Sequence, residues 1–141
     1  MKYVSLVGHV LSLSGLLFGI IMHLFVNSKA IKRQTQIETK VDESIIHSGE
    51  ANHFKNSEGV GGKLYLLTDK LQFKSHSFNL QNHELTIQID QIKEITYSNT
   101  LGIVPNGLAI SLKDGRQEKF VVNGRQLWKT EIEKLIAITN N

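Results

Sequence analysis

Apolar and polar positions alternate strictly along "GGKLYLLTDKLQFK" and "HELTIQI". Leu64, Leu66, Leu71, Phe73, Leu85, Ile87 and Ile89 fall on one side of a pleated sheet, and Lys63, Tyr65, Gln72, Lys74, Thr86 and Gln88 on the other. Turn signals cut this pattern into seven strands. Ile45 to Phe54 comes first and ends at a polar loop, "KNSEGVGG"; Gly62 to Thr68 and Leu71 to His76 form a hairpin about Asp69-Lys70. Leu85 to Ile89 and Ile92 to Asn99 follow, joined at Asp90-Gln91, and the loop "TLGIVPNG" leads to Leu108 to Leu112. The Asp114-Gly115 turn then connects to Gln117 to Val122.

After the strands the period changes. Asn123 is placed to cap a helix from about Arg125 to Ile138, with Leu127, Trp128, Ile132, Leu135 and Ile136 on one face and Lys129, Glu133 and Lys134 pointing away. The expected fold class is therefore mainly β: a seven-stranded barrel over residues 45–139, with the single Trp on a C-terminal helix that plugs its open end.

The opposite end of the chain has no alternation at all. From Tyr3 to Val26 the run "YVSLVGHVLSLSGLLFGIIMHLFV" lacks any Asp, Glu, Lys or Arg, and Lys2 flanks it on one side, Lys29, Lys32 and Arg33 on the other. As a helix it would rise roughly 36 Å, enough for a hydrocarbon core of about 30 Å. A transmembrane helix over residues 3–26 is expected. A cleaved signal peptide is the competing reading, because Ser28-Lys29-Ala30 offers small residues at a peptidase's spacing, but the run exceeds the roughly 7 to 15 apolar residues of a signal peptide. A buried core helix is the third. His9 and His23 interrupt the run; one helix cannot enclose a proton path, so neutral imidazoles are expected there. Gly15-x-x-x-Gly19, after Gly8-x-x-x-Ser12, would let two copies pack as a homodimer. Residues 27–44 read as a juxtamembrane linker, either a helix with a faint stripe at Ala30, Gln34, Ile37, Val41 and Ile45 or a loose tether.

Charge then excludes a class. The chain carries a net +3, yet from Gln34 to Asn141 twelve Lys and Arg face thirteen Asp and Glu, so the basicity belongs to the membrane flanks and no nucleic-acid partner is expected. Lys29, Lys32 and Arg33 favour a cytoplasmic C-terminal domain at the cell membrane, in competition with Lys2 and the terminal amine. With no cysteine there is no disulfide framework and no thiolate nucleophile. Ser, His and acidic residues show no catalytic spacing, and "SEGVGG" precedes a strand where a phosphate loop must open a helix. His76, His83 and Glu84, with His53, are the candidate metal ligands, but their spacing matches no metal signature and the nearby Asn residues suit hydrogen bonding. No enzyme activity, metal or cofactor is expected. In "KSHSFNLQNHE", Phe78 and Leu80 are expected to fold back on the barrel while Asn79, Asn82 and His83 tie loop backbone groups.

Seven antiparallel strands and one closing helix make the plan of the pleckstrin-homology (PH) superfold. The stretches "GGKLYLL", "FKSHSFN", "QNHEL", "NTLGIVPNG" and "FVVNGR", within Gly61 to Trp128, resemble the bacterial branch of the GRAM-domain family. The resemblance implies a PH-like fold, binding of lipid or protein at membranes, no catalysis and no cofactor. It departs at the compact Thr68-Asp69-Lys70-Leu71, where many members have a longer turn. It also places Lys55, Lys74, Lys113 and Arg116 in or beside the loops that ring the headgroup site of lipid-binding relatives, diluted here by Glu58 and Asp114. Leu101, Ile103 and Val104 form an apolar loop that either dips into lipid, receives a partner or tucks under the barrel. The functional expectation is a membrane-anchored interaction module for a protein, a peptide or an anionic lipid.

Overall fold

The structure is a computed structural model and describes residues 14–25, 27–39, 43–55, 58–76, 83–100 and 102–140. The chain divides into two compact units, residues 1–34 and 35–141.

In the first unit, helix α1 spans Ser14–Phe25 and exposes Leu16, Leu17, Phe18, Ile20, Ile21, Met22, Leu24 and Phe25. Asn27 caps its end by donating Nδ2–H to the His23 carbonyl at 2.9 Å. Ser28 then starts helix α2, Lys29–Thr35: its Oγ accepts from the Ile31 amide and its carbonyl from the Lys32 amide. The small residues of the competing signal-peptide reading stand at a helix start. Among the described residues no single helix is long and apolar enough to cross a membrane. Ser14–Phe25 and Lys29–Thr35 satisfy length and composition together but are bent by 57° at the break. Lys2, Gly8, His9, Ser12 and Val26 lie outside the described residues.

The second unit is one antiparallel sheet in the order β4-β3-β2-β1-β7-β6-β5, followed by a helix. Its elements are β1 Ile45–Lys55, β2 Glu58–Leu67, β3 Lys70–Ser75, β4 Glu84–Gln88, β5 Ile92–Thr100, β6 Val104–Leu112, β7 Gln117–Val122 and α3 Arg125–Thr139. The inward positions read from the alternation meet across the ladder, Leu64 with Phe73, Leu66 with Leu71, Phe73 with Leu85 and Leu71 with Ile87. All but the half-buried Leu85 are core.

Four expectations change. The sheet is an open half-barrel, because β4 and β5 each have one strand neighbour. Only the 3-10 turn Ile89–Gln91 separates them, and the chain turns a corner at the expected Asp90-Gln91 junction. β2 and β6 begin earlier than expected, taking in Glu58–Gly61 and Val104–Gly107, because their glycines serve contact between strands and not turns. A Cβ on Gly107 would stand 2.6 Å from the Ser98 carbonyl oxygen, and one on Gly62 would be 2.7 Å from Phe73 Cζ. Helix α3 is preceded by Gly124 in the left-handed region (φ 65°), with no side-chain cap, in place of the expected Asn123. Finally, Leu127 is half exposed and Lys129 half buried, the reverse of the expected faces. Trp128 and Ile132 enter the core as expected, and the Trp128 ring meets the His47 ring edge-on at 4.4 Å.

The outer face of β2 is also covered. Tyr65 stands on the polar side of the alternation, yet it is buried with Leu67 beneath Ile37. Its hydroxyl donates to the Thr35 carbonyl at 2.9 Å, and burial, then the Glu50 carboxylate, pushes the phenol pKa up. From Thr35 to Ile37 the linker is therefore a strap docked on the sheet. Glu43 adds an ion pair with Lys70 at 2.5 Å, and that hydrogen bond holds the Lys70 ammonium above its usual range.

Candidate functional site

The outer face of the sheet carries a cleft of about 190 Å³, lined by Phe54, Ser98, Asn99, Thr100, Lys119, Phe120 and Val121. Register explains it. Phe54 stands opposite Lys119 across β1 and β7, while Lys119 and Val121 stand opposite Ala109 and Gly107 across β7 and β6. At the β5–β6 turn, tied by the Ile103 amide to the Thr100 carbonyl at 3.1 Å, Ile103 is 81% exposed and Val104 nearly half exposed. Thr100 Oγ1 donates to Asn106 Oδ1 at 2.6 Å across the base of that turn. Beside it Tyr97 lies under two cations, the Arg125 guanidinium at 4.7 Å and the Lys129 ammonium at 5.6 Å. Apolar side chains and one wall lysine suit an amphipathic ligand.

Of the four basic residues named from sequence, Lys74 pairs with Glu84 at 3.3 Å on the outer face of the β3–β4 pair. Arg116 closes the β6–β7 turn on Asp114, donating its amide at 3.0 Å and Nε–H at 2.7 Å. Those two hydrogen bonds, the amide first, hold the Asp114 carboxyl below the ordinary carboxylate range. Lys113 is exposed in the same turn, its amide bonded to the Gln91 carbonyl. Lys55 ends β1, and its side chain, like Leu101, Asn56 and Ser57, lies outside the described residues. Lys119, which sequence reading passed over, is the basic residue of the cleft. Its signal was available: it is an outward residue between the inward Glu118 and Phe120 of a correctly read strand.

A second cluster lies on the core side. His53, 2% exposed, brings Nδ1 to 2.8 Å from His83 Nε2 and Nε2 to 2.8 Å from Glu118 Oε2. If His53 donates Nε2–H to the carboxylate, its Nδ1 accepts from His83 Nε2–H, and both contacts are satisfied with neutral imidazoles. The His53 ring packs at a tilt against Phe73 and Phe120, with centroids 5.6 and 4.7 Å away. Ser75 Oγ accepts the His83 amide at 2.7 Å, which fixes the entry to β4. Of the candidate metal ligands, His53 and His83 thus meet, Glu84 faces Lys74 instead, and the carboxylate is Glu118. Among the described residues no group of three or more His, Asp or Glu is arranged to hold a metal ion. Phe78, Asn79, Leu80 and Asn82 lie outside the described residues.

No family model matches the chain, and no curated protein matches it in sequence. Solved structures do match. The N-terminal PH domain of Vps36 aligns with a TM-score of 0.61 at 14% identity, over 77% of this chain and 90% of that one. The C-terminal domain of an unknown protein from Leishmania infantum aligns at 0.57 and 17% identity, over 82% and 98%. The Slm1 PH domain in complex with phosphoserine aligns at 0.50 and 13%, over 69% and 97%. At these identities the likeness is one of fold, and the fold is PH-like.

Proposed function

We propose that the protein is a membrane-anchored, non-catalytic interaction module of the GRAM-like kind, which presents the Phe54–Lys119 cleft and the Ile103–Val104 tip to a protein partner at the cytoplasmic face. The observation that carries this reading is the exposed apolar tip beside a cleft with one basic wall. Position favours a protein over the leaflet. The strap docks on Tyr65 near one end of β2, whereas Phe54 stands opposite Gly59 near the other. Six residues of strand separate Gly59 from Tyr65, roughly 20 Å at 3.3 Å each. Within the domain, the cleft is thus distant from the segment through which the chain enters it.

The anchor itself is supported by α1, which is apolar on every side, as a helix in lipid is and a surface helix is not. Lys29, Lys32 and Arg33 follow it, and by the positive-inside tendency they favour a cytoplasmic domain. The second reading is an anionic-lipid module acting in cis, for which Lys119, Lys113 and Arg116 would supply attraction; the phosphoserine complex of the Slm1 PH domain is the observation in its favour. A photo-crosslinking amino acid at Ile103 of the full chain, activated in native membranes, separates the two. Adducts with protein are expected. Adducts with lipid alone would transfer the function to the leaflet.

A further inference from the structure

The open half-barrel leaves two strands with a single strand neighbour, and the chain treats them differently. On β5, the Ile95 carbonyl accepts from the Lys129 ammonium and the Ser98 carbonyl from Arg125 Nη1 at 2.9 Å, so α3 occupies backbone acceptors there. No such cover reaches β4 among the described residues. Its ladder shows which groups are left. The Ser75 amide bonds the His83 carbonyl and the Ile89 amide the Asp69 carbonyl, so the odd-numbered residues of β4 face β3. The amides and carbonyls of Glu84, Thr86 and Gln88 therefore point outward along a free edge.

We infer that this edge pairs antiparallel with β4 of a second copy of the chain, centred on Thr86. That register is self-complementary. Thr86 meets itself and Glu84 meets Gln88 on the outer face, while Leu85 meets Ile87 on the core side, extending the apolar row that Phe73 and Leu71 begin. About six backbone hydrogen bonds form, two at each outward-facing pair. The competing arrangements are worse: parallel pairing in register sets Glu84 on Glu84, and sliding two residues toward the 3-10 turn sets Asp90 on Glu84. A five-residue edge is smaller than a standard interface of about 800 Å² per partner, so the pair is short-lived in dilute solution.

Disulfide trapping suits such a contact, because the chain has no cysteine of its own. In a hydrogen-bonded antiparallel pair the Cα atoms are about 5.5 Å apart, within the range a disulfide spans. Under mild oxidation, purified full-length Thr86→Cys is expected to dimerise several-fold faster than Lys93→Cys, an exposed position on β5. Glu84→Cys and Gln88→Cys are expected to cross-link slowly alone and rapidly when mixed. Thr86→Pro removes an outward amide but no bond to β3, so added to the mixed pair it abolishes cross-linking. Thr86→Lys serves the same purpose if circular dichroism shows that the proline variant does not fold. Equal rates at Thr86 and Lys93, or adducts of Thr86→Cys with another protein and none with itself, would overturn the proposal.

Discussion

His76 shows how a single side chain ties stability to pH. It follows β3, its amide bonds the Gly61 carbonyl at 3.0 Å, and its ring lies so close over Gly61 that a Cβ there would be 3.3 Å from Cδ2. Burial lowers its pKa from the ordinary 6.5. Below pH 6.5 the unfolded chain therefore binds a proton that the folded chain refuses, and stability falls with pH until the folded imidazole also charges. In denaturant titrations at pH 8 and pH 5, His76→Gln should lose less stability between the two than wild type. An unchanged difference would show that the ring is solvated. Asp114, whose carboxyl is also held below its ordinary range, acts in the same direction on acidification, but it sits on an exposed turn and adds little.

Helix α3 and the strap each do more than the amphipathic pattern required. The apolar stripe of α3 narrows to Trp128 and Ile132, with Leu135 and Ile136 partly covered, and the cations beside it reach β5 and Tyr97. Trp128 is 1% exposed and touches His47, and its Cζ2 lies 3.6 Å from where a Cβ on Gly49 would stand, so truncation leaves a cavity that neighbours cannot fill. Trp128→Ala should destabilise the fold by about 3–5 kcal/mol, whereas Leu127→Ala, half exposed on the next position, should stay within about 1 kcal/mol. Equal denaturant midpoints for the two variants would mean that the helix is docked outside the core. The strap converts Tyr65 from a surface residue into a buried one, an outcome decided by residues thirty positions upstream.

At the level of the whole molecule, the proposed function assigns attachment to the first unit and recognition to the second. The proposed anchor rests on the length of the apolar run from Tyr3, beyond the usual signal-peptide range, and on the small residues Ser28-Lys29-Ala30 standing at the start of α2. The chain should therefore remain in the membrane pellet after alkaline extraction, with an intact mass that includes residue 1 or 2. A protein beginning at Ile31, or one released by alkali, would remove the anchor from the proposed function and leave the cleft without its tether.

The alternation of Leu64, Leu66, Leu71, Phe73 and Ile87 was enough to assign strands, their inward faces and the PH-like plan, because burial on one side of a pleat imposes a period of two on composition. Trp128 and Ile132 were equally legible through the helical period. What composition along the chain could not express is contact between distant segments. Gly107 reads as a loop residue until strand pairing brings Ser98 against it. Tyr65 and Leu67 alternate correctly and are buried on both sides, since the cover comes from Ile37. His53, His83 and Glu118 stand 30 and 65 positions apart, and Phe54 becomes a wall of the cleft only when β7 pairs with β1. Local periodicity determines which face of each element is apolar. Pairing order, the open corner between β4 and β5, and every site built across them are settled by closure of long loops, whose free energy no local stretch of sequence contains.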